Sequence, residues 1–122
     1  MSTPPTILVA DDEPNIRLLL HDELTDAGYR VILAENGAQA VGLAEDQHPD
    51  LIVIDIKMPE MNGVEAIGWL RQVSKGTPVI VCSAFAGIES LFEDVKGCVT
   101  AVVGKPVVLA VLRQKIAEAL KR

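Results

Sequence analysis

The chain is poor in aromatic residues, cysteine and positive charge, and each shortage removes a class of function. Aromatic residues make up only 3% of the 122 residues, so the core must be built from aliphatic side chains within a hydrophobic fraction of 49%. The two cysteines, Cys82 and Cys98, form no CxxC pair, which argues against zinc and favours reduced thiols. Lys and Arg number 11 against 17 Asp and Glu, and the net charge of −6 disfavours a nucleic-acid partner.

Long hydrophobic runs are also missing. A membrane-spanning helix needs about 20 predominantly apolar residues, and no stretch of the sequence approaches that length. The first residues, MSTPP, lack the charged and apolar regions of a signal peptide. We therefore expect a cytoplasmic protein with no membrane or nucleic-acid partner. A chain of 122 residues fits a single domain, residues 1–122.

The sequence does contain an alternation of short β-branched runs with helical patterns. The predicted strands are residues 6–10, 30–34, 51–55, 78–83 and 99–104. After each strand, apolar residues recur at helical spacing. The first helix carries Ile16, Leu20, Leu24 and Ala27, the fourth Ile88, Leu91, Phe92 and Val95, and the fifth Leu109, Leu112, Ile116 and Leu120. Five strand–helix pairs predict a single doubly wound α/β domain, (βα)5, in which helices cover both faces of a parallel five-stranded sheet.

Chemically capable side chains stand at the ends of four of these strands. They are Asp11, Asp12 and Glu13 after strand one, Asp55 after strand three, Ser83 after strand four and Lys105 after strand five. Taken singly, Asp12 is explained as a helix N-cap, Ser83 as a capping hydroxyl and Lys105 as a surface lysine. Ligands of open α/β sheets bind beyond the carboxyl ends of the strands. The joint pattern therefore predicts one pocket that these residues share.

Asp55 is the residue of this set that most needs an explanation, because it closes the apolar run LIVID. A buried carboxylate is costly unless it is paired, protonated or bound to a cation. Hard oxygen ligands in a water-accessible cleft favour Mg²⁺, which binds one or two carboxylates and keeps several waters. A carboxylate held beside a metal can act as a nucleophile toward phosphorus, and Lys105 could neutralise charge on the transferring phosphoryl group.

In this order the residues resemble the receiver domain of response regulators in two-component signalling. The resemblance rests on DDE (11–13), D-x-K-M-P-x-M-N-G (55–63), SA (83–84) and KP (105–106), and it covers the whole chain. It implies a flavodoxin-like fold with strand order 2-1-3-4-5. It also implies a cis peptide bond between Lys105 and Pro106.

The resemblance further implies a role for each residue of the pocket. Asp55 would be the phosphoacceptor, with Ser83 and Lys105 binding the phosphoryl group. The implied Mg²⁺ ligands are Asp11, Asp12, Asp55 and the backbone carbonyl of Lys57. The phosphoryl group would come from a sensor histidine kinase or a histidine phosphotransfer protein, and a downstream protein target would receive the signal. Such a domain phosphorylates itself and slowly loses the phosphoryl group, so it is not a turnover enzyme in the usual sense.

Two positions depart from the family pattern. An aromatic residue is usual three residues before the lysine and frequent after the KP pair, where this chain has Val102 and Val107.

Three other functions deserve comparison with this interpretation. A haloacid-dehalogenase-type phosphatase would carry its nucleophile in D-x-D on the first strand. A flavodoxin-like cofactor binder would need a phosphate loop where DDEPN stands. The main alternative is a receiver-like module that docks a partner without being phosphorylated. Whether the chain stands alone or belongs to a longer protein stays open.

Overall fold

A computed structural model of the chain describes residues 3–58, 61, 63–83 and 99–121. Its five parallel strands form one sheet in the order β2-β1-β3-β4-β5. The strands are β1 Thr6–Ala10, β2 Arg30–Ala34, β3 Leu51–Asp55, β4 Val79–Ser83 and β5 Ala101–Gly104. The helices in the described part of the chain are α1 Pro14–Asp26, α2 Gly37–Gln47, α3 Gly63–Val73 and the last helix Leu109–Leu120. The predicted fold class and strand order are confirmed, whereas the helix predicted around Ile88–Val95 lies outside the described residues.

Two hydrophobic cores lie on the two faces of the sheet. Side chains alternate between the faces along a strand, so Ile7 and Val9 of β1 enter one core while Leu8 and Ala10 enter the other. The first core is closed by α1 and the last helix through Leu20, Leu24, Leu112 and Ile116. The second is closed by α2 and α3 through Ala40, Ala44, Ile67 and Leu70. Burial on both faces explains why β1, β3 and β4 read as continuous apolar runs.

The ends of α1 follow local backbone chemistry. Pro14 begins the helix, where its missing N–H would have had no intrahelical partner. The chain then turns at Gly28, whose φ of +99° is strained for any residue with a Cβ. The helical spacing places Ala27 on one face with Leu20 and Leu24, but Ala27 is the exposed C-cap residue.

Two strands begin later than the sequence predicts. β4 begins at Val79 because Pro78 has no N–H to give to the ladder, although its carbonyl accepts from Ile52 N–H at 3.0 Å. β5 begins at Ala101, although Thr100 before it already bonds to β4: its N–H donates to the Val79 carbonyl at 2.8 Å and its hydroxyl accepts the Val79 N–H at 3.3 Å. No helix in the described part of the chain has the length and hydrophobicity of a membrane span.

Candidate functional site

The carboxyl ends of β1, β3, β4 and β5 meet at an open cavity. It is lined by Asp12, Glu13, Asp55, Ile56, Lys57, Ser83 and Lys105. Topology explains this meeting, because β1, β3, β4 and β5 are consecutive neighbours in the sheet and all run in one direction. The predicted shared pocket is therefore present in the structure, with side chains from four separate parts of the sequence around it.

Lys105 lies at the centre of the acidic residues. Its ammonium nitrogen is 2.9 Å from Asp55 Oδ2 and 3.1 Å from Asp11 Oδ2, and Glu13 Oε1 is 4.0 Å away. Asp11 and Asp55 are almost fully buried, while the Lys105 side chain is 17% exposed. The peptide bond between Lys105 and Pro106 is cis, as the resemblance implies. One cation, carried by the residue after β5, thus bridges two buried carboxylates at the ends of the neighbouring strands β1 and β3.

The backbone and the carboxylate of Asp11 are held on several sides. Its N–H donates to the Ala34 carbonyl at 3.1 Å, and its Oδ1 accepts the Glu13 N–H at 2.9 Å. The Arg17 guanidinium donates to the Asp11 carbonyl at 2.7 Å and contacts Glu35 at 3.4 Å. Glu13, not Asp12, is the N-cap residue of α1, so helix capping does not account for Asp12. Asp12 is exposed and its carboxylate is available to a ligand in the cavity.

Burial and charge act in opposite directions on Asp55. Burial is the largest influence and raises the pKa of Asp55, and the nearby Asp11 carboxylate raises it further. The hydrogen bond and charge of Lys105 and the Lys57 N–H, 3.2 Å from Oδ1, lower the pKa but do not fully offset burial. The pKa of Asp55 therefore lies above its ordinary value, which means that its ionised form is less favoured here than in water.

Lys105 experiences the reverse balance. Burial alone would lower the pKa of its ammonium, but the hydrogen bonds and charges of Asp55 and Asp11 raise the pKa above its ordinary value. Both pKa values are raised, but with opposite effects on charge. The charged form of Lys105 is favoured because Lys105 gains two anionic partners, whereas the charged form of Asp55 is disfavoured because Asp55 is buried and shares the Lys105 cation with a second carboxylate. Lys105 stays protonated throughout the physiological pH range.

The donor set suits a small divalent cation. Asp11, Asp12 and Asp55 each offer a carboxylate oxygen, and these oxygens lie within 4.8 Å of one another. Oxygen ligands on the wall of an open cavity match the preference of Mg²⁺ for few carboxylates and several waters. Among the described residues a single ammonium, that of Lys105, bridges Asp11 and Asp55, so negative charge exceeds positive charge in this acidic cluster. The residues present therefore fit Mg²⁺.

Comparison with known proteins identifies the family. Residues 7–117 match the family described as "Response regulator receiver domain". The chain belongs to this family. It is 37% identical over 101 residues to the chemotaxis protein CheY of Thermotoga maritima, an alignment that covers 82% of this chain and 84% of that protein. Receiver domains are the phosphorylated signalling domains of two-component systems and phosphorelays, and Mg²⁺ binding is typical of them.

Two further relatives extend the comparison. The receiver domain matches the regulatory protein AtoC of Escherichia coli at 39% identity over 90 residues, 74% of this chain but 20% of that protein. Among solved structures, the receiver domain of a sensor histidine kinase from Pseudomonas aeruginosa has a TM-score of 0.87 and 26% identity, covering 98% of this chain and 99% of that one. That structure is described with a magnesium ion coordinated in the active site cleft.

Reasoning from the sequence missed two neighbours of the site. Arg17 lies on α1, six residues after Asp11, and no motif marks its bond to the Asp11 carbonyl. Gly37 begins α2 and contacts the segment after β3, where Met61 approaches it closely. Only the spacing of an arginine one and a half helical turns past the acidic pair could have suggested the first contact. Nothing in the sequence suggests the second.

Proposed function

We propose that residues 1–122 act as one receiver domain that accepts a phosphoryl group on Asp55 from a phosphohistidine. The observation that carries the proposal is the placement of Asp55. It is fixed at the end of a buried strand, faces an open cavity and lies 2.9 Å from the partly exposed ammonium of Lys105. A carboxylate whose ionised form is disfavoured by burial, and which lies beside a cation, is suited to nucleophilic attack on phosphorus.

The reaction is a transfer of the phosphoryl group between two side chains. A carboxylate oxygen of Asp55 forms a bond to phosphorus while the bond from phosphorus to the donor's imidazole nitrogen breaks. The bonding electrons stay on that nitrogen, and the product is an acyl phosphate. Lys105 supplies positive charge where the phosphoryl oxygens carry negative charge. Ser83, at the end of the neighbouring strand β4, offers a hydroxyl to one of these oxygens.

Asp11, Asp12, Asp55 and the backbone carbonyl of Lys57 would hold Mg²⁺ in this proposal. When bound, the ion supplies the positive charge that the approach of a phosphoryl group to several carboxylates requires. The carboxylate oxygens lie within 4.8 Å of one another, and the related Pseudomonas domain is described with magnesium in its own active site cleft, which supports the assignment.

Phosphorylation by a small phosphodonor tests the proposal without a partner kinase. The protein is incubated with acetyl phosphate, with and without Mg²⁺, and its intact mass is measured. We expect the mass of one phosphoryl group to be added only with Mg²⁺, and hydroxylamine to remove it, because hydroxylamine cleaves acyl phosphates but not phosphoserine. No added mass, or a hydroxylamine-resistant product, contradicts the proposal. The first result would favour the alternative, a receiver-like module that docks a partner without being phosphorylated.

The partners belong to the same proposal. The phosphoryl group comes from a sensor histidine kinase or a histidine phosphotransfer protein, and the phosphorylated domain binds a downstream protein. A cytoplasmic location, without membrane or nucleic-acid contacts by this domain, agrees with a net charge of −6. Transfer from a radiolabelled phosphohistidine partner to wild type but not to Asp55→Asn would support this part of the proposal.

Because position 102 is a valine, phosphorylation should change the protein surface around β5 only slightly. It pairs with Val81 in the sheet and is 45% exposed, at the position where related domains usually have an aromatic ring. Valine is small and stiff at χ1, so it cannot expose a large surface in one state and bury it in the other. A modification shifts an equilibrium only through contacts that differ between the states.

Amide chemical shifts with and without beryllium fluoride and Mg²⁺ measure this effect. We expect shifts around Asp55 and Lys57 to exceed those at Val102 and along the outer face of the last helix. The variant Val102→Tyr is the comparison, because it restores a ring at the position. Wild-type shifts across Val102 as large as those beside Asp55 would contradict the prediction.

A further inference from the structure

The first residue of α2 touches the segment that follows the proposed phosphoacceptor. A Cβ placed at Gly37 would lie 3.1 Å from both the carbonyl carbon and the Cβ of Met61, and closer still to the Met61 carbonyl oxygen. The distances of 3.1 Å are tighter than most real Cβ contacts, and real Cβ atoms essentially never come as close to another atom as this one would to the Met61 carbonyl oxygen. Any side chain at position 37 therefore requires a shift of either α2 or the Met61 backbone.

The two sides of this contact differ in how firmly they are held. On the helix side, Gly37 is buried, and its neighbour Asn36 caps α2 by accepting the Gln39 N–H at 2.8 Å. Ala40 and Ala44 then fix the helix in the core. Because the helix is anchored over its length, the Met61 segment is the side that would give way.

Displacement of Met61 would reach Asp55 through a short piece of backbone. Met61 is four residues after Lys57, whose N–H donates to Asp55 Oδ1 at 3.2 Å. Ile56 and Met58, which flank Lys57, belong to the core against which Met61 packs, so a shift of Met61 disturbs the packing on both sides of Lys57. The Lys57 backbone is also the part of the chain whose carbonyl the proposed function assigns to Mg²⁺.

We propose that Gly37 is a positioning residue for the site: its missing side chain lets the Met61 backbone seat against α2, which fixes Lys57 and the Asp55 carboxylate. The expected effect on phosphorylation rests on the proposed function, whereas the contact between Gly37 and the Met61 backbone does not. Misplacement of a reacting group by about 1 Å can slow a reaction roughly 100-fold. A single added methyl group at this position is therefore a sensitive probe.

The variant Gly37→Ala tests the inference, and α2 supplies its matched control. Gly42 lies in the same helix and a Cβ there would meet nothing within 4 Å, so Gly42→Ala makes the same chemical change without the contact. Alanine also favours helix over glycine at both positions. A second control, Leu24→Ala, lowers stability from the opposite core without touching the segment.

Two readouts are taken well below the melting temperature of every variant. Amide hydrogen exchange follows the backbone of residues 56–58, and the initial rate of phosphorylation by acetyl phosphate with Mg²⁺ follows the site. We expect Gly37→Ala to speed exchange at 56–58 and to slow phosphorylation by roughly 10- to 100-fold, with both controls close to wild type. If Gly37→Ala alone does not fold, the double variant with Gly42→Ala is measured, since the second alanine adds helix stability.

The outcomes separate the seating from the proposed function. Unchanged exchange at 56–58 in Gly37→Ala overturns the inference, whatever the phosphorylation rate. An equal loss of rate in Leu24→Ala also overturns it, because the effect would then follow general stability. If wild type is never phosphorylated, the proposed function fails, and exchange at 56–58 alone still decides whether Gly37 seats the segment.

Discussion

Asp55→Asn should abolish phosphorylation by acetyl phosphate and, at the same time, raise the melting temperature of the metal-free protein. The loss follows from the proposed chemistry, because an amide oxygen is a poor nucleophile and its phosphorylated product is unstable. The gain follows from the electrostatics of the cleft, where burial raises the pKa of Asp55 despite the ammonium of Lys105. We expect a rise of about 3–5 °C, the shift that roughly 1 kcal/mol produces in a domain of this size.

The ion pair does not reverse this expectation. In the variant, Lys105 keeps Asp11 at 3.1 Å, and the amide oxygen of an asparagine at position 55 can still accept its hydrogen bond. What disappears is one desolvated charge next to another carboxylate. If Asp55 is placed for the reaction and not for stability, its replacement should stabilise the protein while abolishing phosphorylation.

The pH dependence of this gain has a definite sign. The folded-state pKa of Asp55 is raised, so its stabilising contribution is fully present below the unfolded pKa and is lost as the pH rises through the folded pKa. The advantage of Asp55→Asn should therefore be largest near neutral pH and shrink on acidification, as wild-type Asp55 becomes protonated.

Thermal unfolding at low salt with a chelator, at pH 7 and at pH 4, measures this effect. Asp12→Asn is the control, because it removes the same charge from an exposed position and should give a smaller gain. An Asp55→Asn protein that melts at or below the wild-type temperature at pH 7 would show that the cleft is not net repulsive. Retained phosphorylation at the wild-type rate would remove Asp55 as the acceptor.

The sequence predicted the fold well because its strands carry a strong signal. β1 and β3 are continuous runs of Ile, Leu and Val, and burial on both faces is what such runs indicate in a parallel sheet. Once the strands are parallel, their carboxyl ends all lie at one edge of the sheet, so the side chains that follow them are expected near one another. The strand order itself came from the family resemblance.

Contacts that depend on three-dimensional distance could not be predicted in the same way. The sequence shows Lys105 at a strand end, but not that its ammonium lies between Asp11 and Asp55. The contact between Gly37 and Met61 joins a helix start to a loop 24 positions later, with no chemical type to mark it. The helical spacing continues to Ala27, the C-cap residue, where packing has already ended.

Lys105→Met should be the most destabilising single change in the site. The substitution leaves two almost fully buried carboxylates, Asp11 and Asp55, without the cation that lies 3.1 and 2.9 Å from them. Removing one partner of a buried ion pair costs about 3–5 kcal/mol, and because Lys105 is partly exposed we expect about 2–4 kcal/mol at pH 7 without metal. Methionine retains the apolar length of the side chain, so lost packing contributes little.

Acid and Mg²⁺ should each reduce this loss. Lys105 lowers the pKa of Asp55, so without the ammonium the folded-state pKa of Asp55 rises further. The deficit is therefore present at neutral pH and shrinks as the pH falls through that pKa toward the unfolded carboxyl pKa of about 4. A bound divalent ion would supply the missing charge and stabilise the variant by mass action. The two ends of one ion pair thus have opposite effects on stability, since Asp55→Asn relieves an excess of negative charge that Lys105→Met increases.

Urea denaturation at pH 7 and pH 4.5, with and without Mg²⁺, distinguishes this account from general damage. Lys75→Met is the control, because Lys75 is exposed in the turn after α3 and has no ion pair within 4.0 Å among the described residues. Its stability should match wild type, while Lys105→Arg should retain most of the stability by retaining the charge. If Lys105→Met is equally destabilised at both pH values and does not respond to Mg²⁺, the loss is one of packing and the acidic cluster does not depend on its ammonium.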